Sequence, residues 1–422
     1  MCRACVPLLA LSLLLGCYRV IDDTEELLRS PPRSGRAEVA REAEPPQFLR
    51  KSSPTLGILT TGLSSLAFLL GFDRDEALAR HLIRFPLPDG TVVGGLFFPW
   101  ENGEQGPKPL LIASFGFLQD RFGTEAAKFH EFYVEDPTHR LPAHLLILDH
   151  PTAGIFLGNN GNLSPGSYDD GRMWIEVTRI LHGSMDLASV HLFGVSMSGQ
   201  TVVHALIEDA RLDLGLFASG MAVSIAPDFA VAPGRQLAGI ETGGVGANPW
   251  REIAPETAAV GEDLQVHAVR MLVDHQFVPG YRLARPLAPD YELPTAEIPL
   301  VLWDGFEERL AFLRQARPPD WDLAFSRASL PRYVGSTRIA GVIDRVRTPL
   351  LLISAEDDPA VAVEAFREVT SAAAGNPWVL SVETPEGGHF GFDVPYGAGY
   401  LEDVIELMLA PRVLASWTTA PR

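Results

Sequence analysis

The sequence predicts an α/β fold, a mostly parallel sheet with helices on both faces. Three observations predict it. Short apolar, β-rich runs alternate with segments of helical period over residues 81–415, the pattern produced when crossover helices cover both sides of a parallel sheet. Glycines, prolines and acidic residues punctuate the ends of those runs. One junction, Gly194-Val195-Ser196-Met197-Ser198-Gly199, joins an apolar run to a helical one through small residues around a serine, as a sharp strand-to-helix turn requires.

The N-terminus reads as a targeting segment. Arg3 gives a short positive head, Leu8–Leu15 an apolar stretch, and Leu14-Leu15-Gly16-Cys17 a small-residue cleavage site. The stretch is too short to span a bilayer as a helix. The tetrad resembles a bacterial lipoprotein signal. That resemblance implies removal of residues 1–16, lipidation of Cys17 as the first mature residue, and, because Tyr18 rather than an aspartate follows, delivery to the outer membrane. Residues 17–54 are rich in Arg, Glu, Pro and Ser, a composition that buries too little apolar surface to order itself, and read as a tether from lipid to domain. Residues 55–80 include the apolar stretch Leu56–Phe72, read as a buried or surface-covering helix rather than a second membrane segment, because glycines and hydroxyl residues interrupt it.

The core is expected over 81–226 and 341–422. It opens with a hairpin, His81–Leu87 and Val92–Phe98 about a Pro88-Asp89-Gly90 turn. Further strands are expected at Leu110–Ser114, Leu145–Asp149, Ser189–Phe193, Phe217–Ile225, Leu350–Ser354 and Val379–Val382, with helices near Asp170–Leu181, Met197–Ile207, Val361–Ala374 and Gly399–Leu409. Residues 227–340 are too long for a structureless loop and read as a cap over the carboxyl ends of the strands, where open α/β sheets bind ligands. Helical patterns there fall around Asp263–Val273 and Glu307–Arg314, and Met271, Phe277, Trp303, Phe306 and Trp321 line an acyl-binding cleft or form the cap's own core.

Charge and cysteine usage narrow the partners. The chain of 422 residues carries a formal charge of −19, which repels nucleic acid and anionic lipid. Of its three cysteines, Cys2 and Cys5 leave with the signal, so neither a disulfide nor a cysteine-based metal site is expected. His130, His139, His144 and His150 are close in sequence, but without the spacing of ligands on one helix face they read as structural or solvated, and no metal or cofactor is expected.

The chemistry centres on Ser196, the candidate nucleophile. Its turn departs from the strict G-x-S-x-G pattern, with Ser198 where a glycine is usual and Gly199 one step later. The strand ending at Ser354 is followed by Glu356-Asp357-Asp358-Pro359. A carboxylate there is placed to hold an imidazole in one tautomer, and the spacing to Val361 favours Asp358 over Asp357. Asp228 is the fallback acid, and a helix cap is the bland role for either neighbour. The next strand is followed by Gly387-Gly388-His389-Phe390-Gly391, whose glycines let a loop bring His389 close to other groups. A developing oxyanion needs two fixed donors. The N–H of Met197 is one and that of Phe117, in the loop Ser114-Phe115-Gly116-Phe117-Leu118, the other, although Phe115-Gly116 stands where His-Gly is usual. Asp149, at a strand end, reads as a loop-fixing residue.

The order Ser196, Asp358, His389 resembles that of the α/β-hydrolase superfamily over about 81–415. Within it, Ser336–Asp344, Thr348–Pro359 and Gly387–Phe392 resemble the YheT-like esterase branch, from which the long insertion and the leader depart. The resemblance implies a serine hydrolase needing no cofactor, acting on a small-molecule or lipid ester. A thioesterase or peptidase with the same triad, and a non-catalytic surface lipoprotein serving as a binding module, are the alternatives.

Overall fold

The computed structural model describes residues 36–38, 78–100, 106–116, 141–153, 159–164, 168–227, 308–312, 338–356, 363–389 and 400–410, with single positions such as Arg121, Phe129, Asp358 and Phe392 between them. Nine strands form one sheet: β1 (Arg36–Glu38), β2 (Leu82–Pro86), β3 (Val92–Phe98), β4 (Lys108–Ser114), β5 (His144–Leu148), β6 (Leu187–Val195), β7 (Ser219–Val223), β8 (Leu350–Ala355) and β9 (Val379–Thr384). Among the described residues, α1 (Tyr168–Ser184), α2 (Met197–Arg211), α3 (Val363–Ala372) and α4 (Tyr400–Leu409) accompany it.

The sheet order is β1-β9-β8-β7-β6-β4-β5-β3-β2. Only β3 runs against its neighbours, pairing antiparallel with β2 and β5; the other pairings are parallel. Loops following β4, β6, β8 and β9 therefore leave from one edge of the sheet. That edge is where the candidate residues lie.

Alternation along each strand assigns its side chains to two cores. Leu350 and Leu352 of β8 face one core with Trp174 of α1, Val202 and Leu206 of α2, and Phe366 of α3. Leu351 and Ile353 face the other with Phe193, Phe392, and Tyr400, Val404 and Met408 of α4. Each fully buried leucine or isoleucine contributes about 1.5–3 kcal/mol relative to exposure. With both faces covered, these strands read as continuous apolar runs, which is why the sequence locates them.

Expected and observed elements agree except at their ends. β6 is longer than Ser189–Phe193 and β7 shorter than Phe217–Ile225, and α2 continues four residues beyond Ile207 to Arg211. Asp209, in the last turn of α2, ties the chain that follows to the helix by accepting the N–H groups of Leu216 and Phe217 at 3.0 and 3.3 Å. The stretch read as a tether contributes one element, β1, parallel to Ser381–Glu383 of β9. An edge strand offers unpaired backbone groups to any extended segment, so a polar sequence adds there without an apolar signature.

The insertion leaves and returns at one place. Ile339, wholly buried, donates its N–H to the carbonyl of Pro227 at 3.2 Å. Within the insertion, residues 308–312 are helical, as expected for Glu307–Arg314. Arg309 docks that turn on the core by donating to Asp169 at 2.8 Å and Thr91 at 2.9 Å. The patterns at Leu56–Phe72 and Asp263–Val273, the cap aromatics, and Cys17 and the rest of the leader lie outside the described residues.

Candidate active site

Ser196 occupies the turn between β6 and α2 with φ 56° and ψ −120°. A non-glycine residue held there stores about 1–3 kcal/mol of strain and persists only when its surroundings fix it. Three backbone bonds do so: its N–H donates to Val223 at 2.8 Å, and its carbonyl accepts from Gly199 at 3.0 Å and Ala226 at 3.2 Å. The side chain is partly exposed at the carboxyl edge.

Gly194 is required because a Cβ there would lie 2.3 Å from the carbonyl oxygen of Ser198. Helix α2 begins at Met197, so the Met197 N–H is one of the amides left free at a helix N-terminus, where negative charge is favoured.

Asp358 follows β8 and His389 follows β9, its neighbour in the sheet. The imidazole Nδ1 lies 3.0 and 3.1 Å from the two carboxylate oxygens. Asp358 Oδ1 also accepts the Val361 N–H at 2.9 Å, so this side chain both closes its own turn and meets the histidine. Its side chain is fully buried while that of His389 is 18 % exposed. With Nδ1–H donating to the carboxylate, Nε2 is the nitrogen left to accept a proton.

The glycines before His389 have a steric reason. Gly387 has φ +145°, and a Cβ there would sit 2.7 Å from the ring of Phe392. Gly388 also has a positive φ, 58°.

The chain leaving β4 packs on the Ser196 turn. Gly116, with φ +94°, is so close that a Cβ would lie 2.9 Å from the Val195 oxygen and 3.0 Å from Ser196 Cβ. Its N–H is taken up by Ser198 Oγ at 2.8 Å. Downstream, Asp149 accepts the Arg121 N–H at 3.0 Å and its Nε–H at 2.8 Å, which is the loop-fixing role expected of it. Phe117, Asp357 and Asp228 lie outside the described residues.

The histidines near β5 are engaged structurally. His144 accepts the Trp100 N–H at 3.0 Å, and His150 Nδ1 lies 2.6 Å from Thr152 Oγ1. Burial pulls the His150 pKa down to about 3.

The strand order decides the architecture. Leaving aside β1, the eight strands lie in the spatial order 1-2-4-3-5-6-7-8 with the second reversed, and the serine turn follows the fifth. The fold is that of the α/β hydrolases. Solved structures similar to this chain include an enol-lactonase from Burkholderia xenovorans LB400, 14% identical, covering 78% of this chain and 100% of that one with a TM-score of 0.41. An esterase from Pyrococcus furiosus is 14% identical, covering 80% and 94% with a TM-score of 0.45. A puromycin-hydrolyzing peptidase from Mycobacterium tuberculosis is 14% identical, covering 77% and 38% with a TM-score of 0.41. No protein-family model and no curated protein sequence matches the chain.

Reasoning from sequence missed the partners of Ser198. Its hydroxyl also donates to Ser114 Oγ at 2.9 Å, and the only trace of this in the sequence is a serine at each end of the contact. Of the expected site residues, the structure brings Asp358 and His389 into direct contact and sets Ser196 and Met197 at the turn on the same edge.

Proposed function

We propose that the chain is a serine hydrolase that cleaves carboxylic esters through an acyl-enzyme. The observation that carries this reading is the contact of His389 Nδ1 with the buried Asp358 carboxylate at 3.0 Å, on the edge that also holds the strained Ser196 turn. In the first half-reaction Ser196 Oγ attacks the ester carbonyl and its proton passes to His389 Nε2. Asp358 orients the imidazole and stabilises the imidazolium. The oxyanion is held by the N–H groups of Met197 and Phe117. Collapse breaks the bond to the alkoxide, which takes the proton from His389 and leaves as an alcohol. Water then repeats the sequence, releasing the acid and restoring Ser196.

Thioesters and amides pass through the same kind of intermediate, so a substrate panel separates them. The N-terminal pattern supports a further part of the proposal: Cys17 is acylated and anchors the enzyme in the bacterial outer membrane. Several acyl chains at one terminus suffice for stable anchoring, since each buried methylene contributes about 0.8 kcal/mol.

The test uses the full chain in detergent with a fluorophosphonate probe, which reacts with an activated serine whatever the substrate. Wild type is expected to label, and Ser196→Ala to be silent with hydrolysis of p-nitrophenyl esters lower by at least about 10⁴-fold. Folded wild type that neither labels nor hydrolyses would overturn the reading in favour of a binding module. Metabolic labelling with an alkyne fatty acid, lost in Cys17→Ser, checks the anchor independently.

A further inference from the structure

Resting on that functional reading, we infer that Ser198 is a positioning residue whose hydroxyl clamps Gly116 and the end of β4 to the nucleophile turn, and so holds the turn that presents Ser196 and the Met197 amide. Ser198 is wholly buried, on the first turn of α2 and two residues beyond Ser196. Its oxygen accepts the Gly116 N–H at 2.8 Å and donates to Ser114 Oγ at 2.9 Å. Both partners belong to the segment running from the end of β4 into the loop, and Ser114 is registered beside Gly194 of β6. One hydroxyl thus bridges the ends of two adjacent strands, one of which carries the candidate nucleophile.

The clamp acts over a short lever. A Cβ on Gly116 would sit 3.5 Å from the Met197 nitrogen, so the loop backbone bears directly on the turn that presents the first donor. The Gly116 N–H is itself committed to Ser198 and is not offered to the oxyanion. A glycine at 198 would satisfy the usual pentapeptide and would leave the buried Gly116 N–H without this acceptor. Buried amides without partners are unfavourable, so Gly116 would shift to find one and disturb its packing on Val195, Ser196 and Met197. Restoring the regular motif is therefore expected to damage the enzyme.

Gly199 supplies the close helix approach that a glycine at 198 is usually credited with. A Cβ on Gly199 would meet Ala222 and Ile225 of the β7 segment at 3.3 Å. The serine at 198 is thereby free to take a hydrogen-bonding role.

The experiment compares full-length wild type with Ser198→Gly, Ser198→Ala and Ser114→Ala. Four quantities are measured: kcat and KM on a p-nitrophenyl ester, Ki for an alkylboronic acid that mimics the tetrahedral adduct, and the rate of amide exchange in the peptide containing Gly116. Both Ser198 variants should lose about 10–100-fold in kcat, the scale expected when an oxyanion donor is displaced rather than deleted, with KM changed by less than about twofold. Boronate Ki should rise by the same factor, and exchange at Gly116 should accelerate by about tenfold or more. Ser114→Ala keeps the bond to Gly116 and should lose less than about threefold in kcat. Ser198→Gly as active as wild type, a kcat loss without a matching rise in boronate Ki, or unchanged exchange at Gly116 would each overturn the inference. If wild type hydrolyses no ester and takes no fluorophosphonate, the functional reading fails, while exchange at Gly116 still decides whether the clamp exists.

Discussion

Two regions of the carboxyl edge are built from different materials. Around Ser196 the contacts are neutral: backbone bonds to Val223, Gly199 and Ala226, and the hydroxyls of Ser198 and Ser114. In the flank beside β3 and β5 the contacts are buried charges. The Arg121 guanidinium pairs with Asp149 above Gly94, where a Cβ would collide with it. Arg309, fully buried, pairs with Asp169 at 2.8 Å. Burial pulls the Arg309 pKa down, but the charge and hydrogen bond of Asp169, with Asp89 and Asp170 behind it, raise it overall. Asp170, next in the chain and accepting the hydroxyl of Ser164, has its pKa pushed well up, chiefly by burial and then by Asp169. Neutral clamps leave the field at the Ser196 turn to the helix amides, whereas paired charges join segments distant in sequence and tolerate no missing partner.

The largest expected effect falls in the flank. Arg309→Ala removes the buried guanidinium that pairs with Asp169 and should cost about 3–5 kcal/mol in urea unfolding. Replacing both partners with apolar residues, Arg309→Met with Asp169→Leu, should recover most of that loss. The exposed pair Arg338–Glu368, at 2.6 Å with both side chains about half exposed, provides the reference and should be worth under about 1 kcal/mol. If Arg309→Ala costs no more than Arg338→Ala, the flank is not held by buried charge and the contrast fails.

Acid should find the flank before it finds the nucleophile turn. His150 is wholly buried, with Thr152 donating its N–H to Nδ1 at 3.2 Å, and burial favours the neutral ring. Burial takes its pKa to about 3, against about 6.5 in the unfolded chain. Between those values the unfolded chain binds the extra proton. This contribution is therefore complete above about pH 6.5 and falls by about 1.4 kcal/mol per unit as pH drops toward 3. His150→Asn keeps an acceptor for Thr152 and removes the titration. Between pH 7 and 5, wild type should lose about 2 kcal/mol more than the variant by urea midpoint. Equal losses would show that His150 is not held neutral by burial.

Much of this architecture was legible in the sequence because parallel strands buried on both faces announce themselves as apolar runs, and Leu350–Ala355 and Val379–Thr384 are fully buried throughout. The Asp358–His389 contact was legible for a related reason: both residues sit just beyond such strands, where chain order limits what each can meet. The flank was not. Arg309 and Asp169 are separated by 140 residues, and an arginine in a helical segment carries no mark distinguishing a buried anchor from a solvated charge. Edge strand β1 was hidden because backbone pairing needs no side-chain pattern. Ser198 was visible only as a departure from a motif, since a hydroxyl's partner depends on which strands become neighbours.

The smallest expected effect separates backbone strain from chemistry at the nucleophile turn. Ser196→Ala deletes the hydroxyl but keeps a Cβ at φ 56°, so the strain of about 1–3 kcal/mol remains. Ser196→Gly deletes the hydroxyl and relieves the strain, less about 0.5–1 kcal/mol for glycine's greater freedom in the unfolded chain. Both variants should be inactive, yet the glycine variant should unfold at a higher urea concentration, by a margin near 1 kcal/mol. Identical midpoints would mean that the three backbone bonds hold a conformation serine adopts without cost, and the turn would then be ordinary in the respect that most distinguishes it from the charged flank.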